Sequence, residues 1–119
     1  MATTPEGKVK NKIKDLLKSY GDSIYYFMPA MGAFGKSGVP DIVCCVDGLF
    51  LAIEVKADAR KNPPTPLQVK NLAEIRSAGG ASFTIDANDM DFLRGFIDGM
   101  IEQRAQSRKI VTDLLARFM

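Results

Sequence analysis

The chain has 119 residues, 46% of them hydrophobic and 25% charged, which suits one globular domain with a single core and leaves no room for a second. It contains no histidine, which excludes histidine-based catalysis. Its two cysteines, Cys44 and Cys45, are adjacent, so on a strand they point to opposite faces and do not bridge each other. Any metal must then sit on oxygen ligands, which favours hard ions, while a net charge of +2 alone says nothing about nucleic acid.

From Glu6 to Tyr20 the apolar residues Val9, Ile13, Leu16, Leu17 and Tyr20 recur at helical spacing, and Gly21 follows as a stop. Lys8, Lys10, Lys12, Lys14 and Lys18 crowd this helix, either as a solvated face or as a surface turned toward phosphates. Ser23 to Met28 is aromatic and β-favouring and reads as a strand, with Tyr25, Tyr26 and Phe27 expected in the core. Pro29 to Gly38, which carries Lys36, reads as a loop. Two strands follow, Asp41 to Val46 and Leu49 to Lys56, around Asp47-Gly48, a pair suited to a type I′ hairpin turn.

Ala57 to Pro64 is polar and proline-rich, and Thr65-Pro66 opens a second helix that carries Leu72 and Ile75 and stops at Gly79-Gly80. Ala81 to Ile85 is a short fourth strand. Asn88 or Asp89 is expected to cap a third helix through Ile101. Gln103 to Phe118 reads as a fourth, with Val111, Leu114, Leu115 and Phe118 on one stripe and Arg104, Arg108, Lys109 and Arg117 as its basic residues. That last helix is open to three roles: capping the core, forming a dimer seam or touching a partner. No stretch approaches the roughly 18 apolar residues of a membrane span, and the opening MATTPEGKVK lacks the apolar core of a secretory signal. A soluble intracellular protein is expected.

The hairpin turn sets a register. Val46 opposes Leu49, and counting outward brings Ile42 opposite Ile53 and then Asp41 opposite Glu54. Opposed side chains have Cβ atoms roughly 5 Å apart, where two like charges destabilise a sheet. A divalent cation between the carboxylates offsets the repulsion and is also what phosphodiester hydrolysis requires. Lys56, two residues past Glu54, shares its face and suits a role on the attacking water or the phosphate. Ile42, Cys44, Val46, Leu49, Leu51, Ile53 and Val55 make the opposite face an apolar surface for helices to cover.

Two further residues carry two readings each. Glu6 shares the inward stripe of the first helix and suits a third metal ligand, yet Thr3-x-x-Glu6 is also a capping-box pattern. Gln68 shares a stripe with Leu72 and Ile75, yet Thr65-x-x-Gln68 is likewise a capping box. Lys36, in the glycine loop before Pro40-Asp41, is a candidate phosphate contact or a solvated loop lysine.

Gly38-Val-Pro-Asp41, then Glu54-Val-Lys56, then Thr65-Pro-Leu-Gln68, all preceded by Glu6, resembles the VRR-NUC branch of the PD-(D/E)XK nucleases from Glu6 to about Ile85. The resemblance implies an α/β restriction-endonuclease-like core of order α-β-β-β-α-β, with C-terminal helices around a mixed central sheet. The core would span about residues 5–86 and the helical extension about 88–119, in one domain. It implies Asp41 and Glu54 as metal ligands, Lys56 as the catalytic lysine, and Glu6 and Gln68 as supporting site residues, with Glu6 a further ligand. The cofactor would be Mg²⁺, with Mn²⁺ also accepted, and no nucleotide cofactor. Lys36, Lys8 and Lys12 are the expected DNA contacts.

Stand-alone members of the family are typically phage or bacterial homodimers acting on branched DNA such as four-way (Holliday) junctions. This chain looks like that type, which places it in the cytoplasm of a bacterium or a phage-infected host. One departure is that family members often carry a basic residue just before the glycine of Gly-x-Pro-Asp, whereas here Ser37 separates Lys36 from Gly38. The competing readings are a sequence-specific restriction-type endonuclease, for which no separate recognition domain is evident, and a silent DNA-binding scaffold, which has no need of the repulsive acid pair.

Overall fold

The computed structural model describes residues 3–30 and 36–116, apart from the side chains of residues 105–112. Helix α1 (Pro5–Lys18) begins at Thr4, whose Oγ1 accepts a hydrogen bond from Gly7 N at 3.0 Å, and Pro5 fills a first-turn position whose N–H has no intrahelical partner. The cap is thus Thr4 rather than Thr3, so the capping-box alternative for Glu6 does not form and its carboxylate stays free of the helix start. Val9, Ile13, Leu16 and Leu17 form the buried stripe.

Strands β1 (Ile24–Phe27), β2 (Ile42–Val46) and β3 (Leu49–Val55) run antiparallel in sequence. Asp47 (φ 48°) and Gly48 (φ 90°) both take left-handed conformations, as a type I′ turn demands, and the register follows from it: Val46 pairs with Leu49 and Ile42 with Ile53. Helix α2 (Pro66–Ser77) returns the chain so that β4 (Ala81–Ile85) lies parallel to β3. The sheet is mixed, in the order β1-β2-β3-β4.

Helices α1 and α3 (Met90–Leu115) cover one sheet face. Ile13 and Leu17 meet Ile42, Val46, Leu51, Ile53 and Val55 there, together with Leu93 and Ile97. Burial of each such side chain contributes about 1.5–3 kcal/mol. Helix α2 covers part of the other face: Ser82 Oγ donates to Leu72 O at 2.7 Å and Arg76 donates to Ser82 O at 2.6 and 2.9 Å.

Several sequence expectations are corrected. The third and fourth helices are one 26-residue helix, α3, because no glycine or proline lies between Gly99 and Leu115 to end it. Its entry is capped by Asp86, whose side chain accepts from Asn88 N while Asp89 answers on Asp86 N, through a short 3-10 turn over Ala87–Asp89. Leu114 and Leu115 are exposed; Arg117 and Phe118, and the side chains of Arg108, Lys109 and Val111, lie outside the described residues. Strand β1 is an edge strand, not a central one, so Tyr25 and Phe27 are exposed rather than core. Among the described residues no helix is long and apolar enough to cross a membrane.

Candidate active site

Asp41 enters β2 directly after Pro40, and its Oδ2 accepts a hydrogen bond from Val55 N at 2.8 Å. The carboxylate is thereby bound across the hairpin to β3, one residue beyond the last paired position, beside Glu54. Glu54 is only 3% exposed. Its Oε1 accepts from Gln68 Nε2 at 3.1 Å, and its Oε2 is buried with no hydrogen-bond partner among the described residues.

Burial pushes the Glu54 carboxyl up from 4.5 to about 8, and the neighbouring Asp41 carboxyl adds to this, while Lys56 pulls it back and Glu6 raises it further. A buried oxygen without a donor, next to a second acid, is an unfavourable place for negative charge unless a proton or a cation joins the pair.

Gln68 serves both of its readings at once. Its Oε1 accepts from Thr65 N at 2.9 Å to complete the capping box of α2, and its amide nitrogen holds Glu54. The helix cap therefore fixes the rotamer of the residue that positions a site carboxylate.

Two site residues were missed from sequence. Lys10 Nζ lies 3.7 Å from Asp41 Oδ1, in place of the Lys8 and Lys12 expected from the sequence. Lys10 stands four residues after Glu6 and hence on the same side of α1, but this spacing alone does not fix which strand residue it meets. Asn71 is buried on α2 and donates to Ser37 O at 3.1 Å and Leu67 O at 2.9 Å, pinning the segment that leads into Asp41.

Gly38 lies in that segment with φ 73°, and a Cβ there would stand 2.7 Å from Leu67 Cγ, so the close approach to α2 requires glycine. Replacing Asn71 with alanine leaves Ser37 O without this donor and loosens the Asp41 approach. The expected result is a loss of about 1–3 kcal/mol in denaturant unfolding. Unchanged stability would show that the pin is not needed.

Lys10, Gly38, Asp41, Glu54 and Gln68 line a cleft of about 470 Å³ between α1, the Lys36–Pro40 segment and α2, whose lining includes neither Asn71 nor Lys56. Lys36 stands at the cleft and pairs with Glu74 at 3.3 Å. Lys8 is exposed and does not line the cleft, and Lys12 lines a separate hollow with Asp15 and Arg94. Lys56 follows β3, its N–H donating to Ile85 O at 3.0 Å, and its ammonium makes no ion pair or hydrogen bond with a described residue.

Among solved structures, the chain is similar to one described as "VRR_NUC domain", with a TM-score of 0.61 and 25% identity over 85% of this chain and 97% of that chain. The match supports assignment to the VRR-NUC family. No protein-family model matches the chain, and no curated protein matches it. The VRR-NUC match supports a nuclease-type fold with a restriction-endonuclease-like core, and with it a nuclease role.

The donor set of this site fits a hard divalent cation. Glu54 Oε2 is an orphaned buried oxygen, the nearby donors are carboxylates, and the pair sits in an open cleft. Among the described residues no group of three or more acidic, cysteine or histidine side chains is close enough to hold a metal, so Glu6 does not close onto the pair. Two carboxylates with the other positions left to water and phosphate is the binding habit of Mg²⁺.

Proposed function

We propose that this protein is a metal-dependent endonuclease of branched DNA, four-way junctions among them, working as a homodimer in the cytoplasm with Mg²⁺ or Mn²⁺. The observation that carries the reading is the buried Glu54 Oε2 without a donor beside Asp41, on the strand that leads to Lys56. A divalent cation bound at Asp41 and Glu54 supplies a Lewis acid for the scissile phosphate and an activated water.

The chain's own groups do the rest. Gln68 fixes Glu54 through Oε1, leaving Oε2 for the site, and the Val55 N–H fixes Asp41. Lys56 Nζ orders the water or takes its proton, and it stabilises charge gathering on the phosphate. Glu6 adds negative potential that draws the cation in. Lys10 and Lys36 line the cleft where the phosphate backbone would enter, and Lys8 and Lys12, outside it, would meet phosphates farther along the strand.

Labelled linear duplex, flap and four-way junction DNA, incubated with Mg²⁺, Mn²⁺ or EDTA, test this directly. Cutting is expected on branched DNA, only with metal, and by a species of dimeric mass in light scattering, since two-fold junctions are most simply cut by two symmetric sites. Cutting in EDTA would remove the metal from the reading. No cutting by folded protein would leave a DNA-binding scaffold, and a monomer that cuts junctions would remove the paired sites.

A further inference from the structure

The Lys36–Pro40 segment that walls the catalytic cleft has a second side. There it bounds an open trough of about 410 Å³ on the same sheet face. Pro29, Lys36, Val39 and Pro40 line both spaces, so the two are continuous around one strip of chain. The trough is floored by Phe27, Val43 and Phe50.

The register explains why these rings stand together. Phe27 pairs with Val43 and Val43 with Ala52, while Tyr25 pairs with Cys45 and Cys45 with Phe50, so all lie on the Glu54 face. Helix α2 covers that face over β3 and β4 but leaves the β1 side open. Tyr25 is 71% exposed, Phe27 43% and Phe50 45%. Scattered exposed apolar residues need no explanation, but two half-exposed aromatic rings flooring one trough beside a catalytic cleft do.

Phe50 also lines a further hollow of about 270 Å³ with Ile75, Ala78 and Gly80, so its ring is reached from two sides. A Cβ on Gly80 would lie 2.9 Å from Ile75 Cγ2 and 3.2 Å from the Phe50 ring, and the glycine keeps this approach clear.

We propose that the trough is a nucleobase subsite, in which an unpaired base next to the scissile phosphate leaves the stack and rests on Phe50 and Phe27. The proposal rests on the nuclease reading of the adjoining cleft and specifies its substrate: DNA with an unpaired or readily unstacked nucleotide beside the cut. Aromatic faces bind any base by stacking, and a base at a branch is the least costly to turn out.

The charges agree with this division. The apolar trough takes a base but no phosphate, and the phosphate path runs over Lys10 and Lys36 in the cleft. Glu74, the acid on the trough wall, is paired with Lys36 at 3.3 Å, which moderates its repulsion of a strand. The continuity of trough and cleft, joined at a lysine, favours a part of the same DNA strand over a protein partner as the occupant.

The test is a thermodynamic cycle on flap and four-way junction DNA with Mg²⁺, using wild type and Phe50→Ala and making each nucleotide beside the cut abasic in turn. At one position, removing the base or removing the ring is each expected to lower kcat/KM roughly tenfold, and removing both to lower it no further than either alone. Phe50→Tyr, which keeps a stacking face, is expected to retain the wild-type response to the abasic site.

Additive losses, or no loss from either change, overturn the subsite while leaving the nuclease reading intact. A wild type that cuts no DNA overturns both. A dimer that falls to monomers with Phe50→Ala in light scattering assigns the face to a second copy and overturns the subsite. Should Phe50→Ala not fold by circular dichroism, Phe27→Ala takes its place in the same cycle.

Discussion

Replacing Lys56 with alanine is expected to leave the fold and metal binding in place and to lower DNA cleavage by about 10³-fold. The fold survives because Lys56 contributes to the sheet through its backbone, donating to Ile85 O at 3.0 Å, and alanine keeps that bond. Its ammonium makes no hydrogen bond or ion pair with a described residue that the substitution would break. What is lost is a cation next to Glu54, whose charge draws the raised Glu54 carboxyl back down.

Lys56→Arg separates the two roles open to the amine. Arginine restores charge but holds its proton at any working pH, so partial recovery means charge stabilisation and none means proton transfer. Single-turnover rates on the preferred branched substrate are the measurement. Undiminished cutting by Lys56→Ala would remove this residue from the mechanism.

Glu54→Gln is expected to abolish cleavage and yet to stabilise the metal-free protein at alkaline pH. The folded Glu54 carboxyl titrates at about 8 against an ordinary 4.5, so between those values the native state holds a proton that the unfolded chain has released. Stability from this group is complete below about pH 4.5 and is lost as pH rises through about 8. A buried carboxylate left without a cation then opposes folding, and glutamine, neutral at every pH, does not.

In EDTA at pH 8.5 the variant is expected to gain on the order of 2 kcal/mol over wild type, or several degrees in melting temperature, with the difference vanishing near pH 5. Added Mn²⁺ should reverse the order by stabilising only the wild type, more strongly as pH rises, because the cation competes with the proton. Calorimetric melting of both proteins from pH 5 to 9 measures this. A wild type no less stable at pH 8.5 than its glutamine variant would show that the acid pair is already relieved without metal.

Much of the architecture is legible in local chemistry. Asp47-Gly48 allows one tight turn, that turn allows one register, and from the register the proximity of Asp41 and Glu54 follows without any long-range information. The β3–α2–β4 order also provides the helical crossover that the parallel pairing seen in the sheet needs. The two-sided use of Gln68 was also readable as a pair of alternatives, because a capping amide has a donor and an acceptor and one reading needs only one of them.

What the tertiary structure alone decided depends on which surfaces meet. A strand's sequence does not state its place in a sheet, so the aromatic β1 suited the core until its edge position left Tyr25 and Phe27 in solvent. Helix periodicity separates the inner and outer sides of α1 but does not say which lysine overhangs the strand beneath, and packing chose Lys10 for Asp41. Asn71 resembles any polar residue on a half-exposed helix until the Ser37–Asp41 segment folds over it. Turn geometry and side-chain period act within a few residues and are written in the sequence, whereas burial and charge pairing arise between segments far apart in the chain and exist only once those segments are packed.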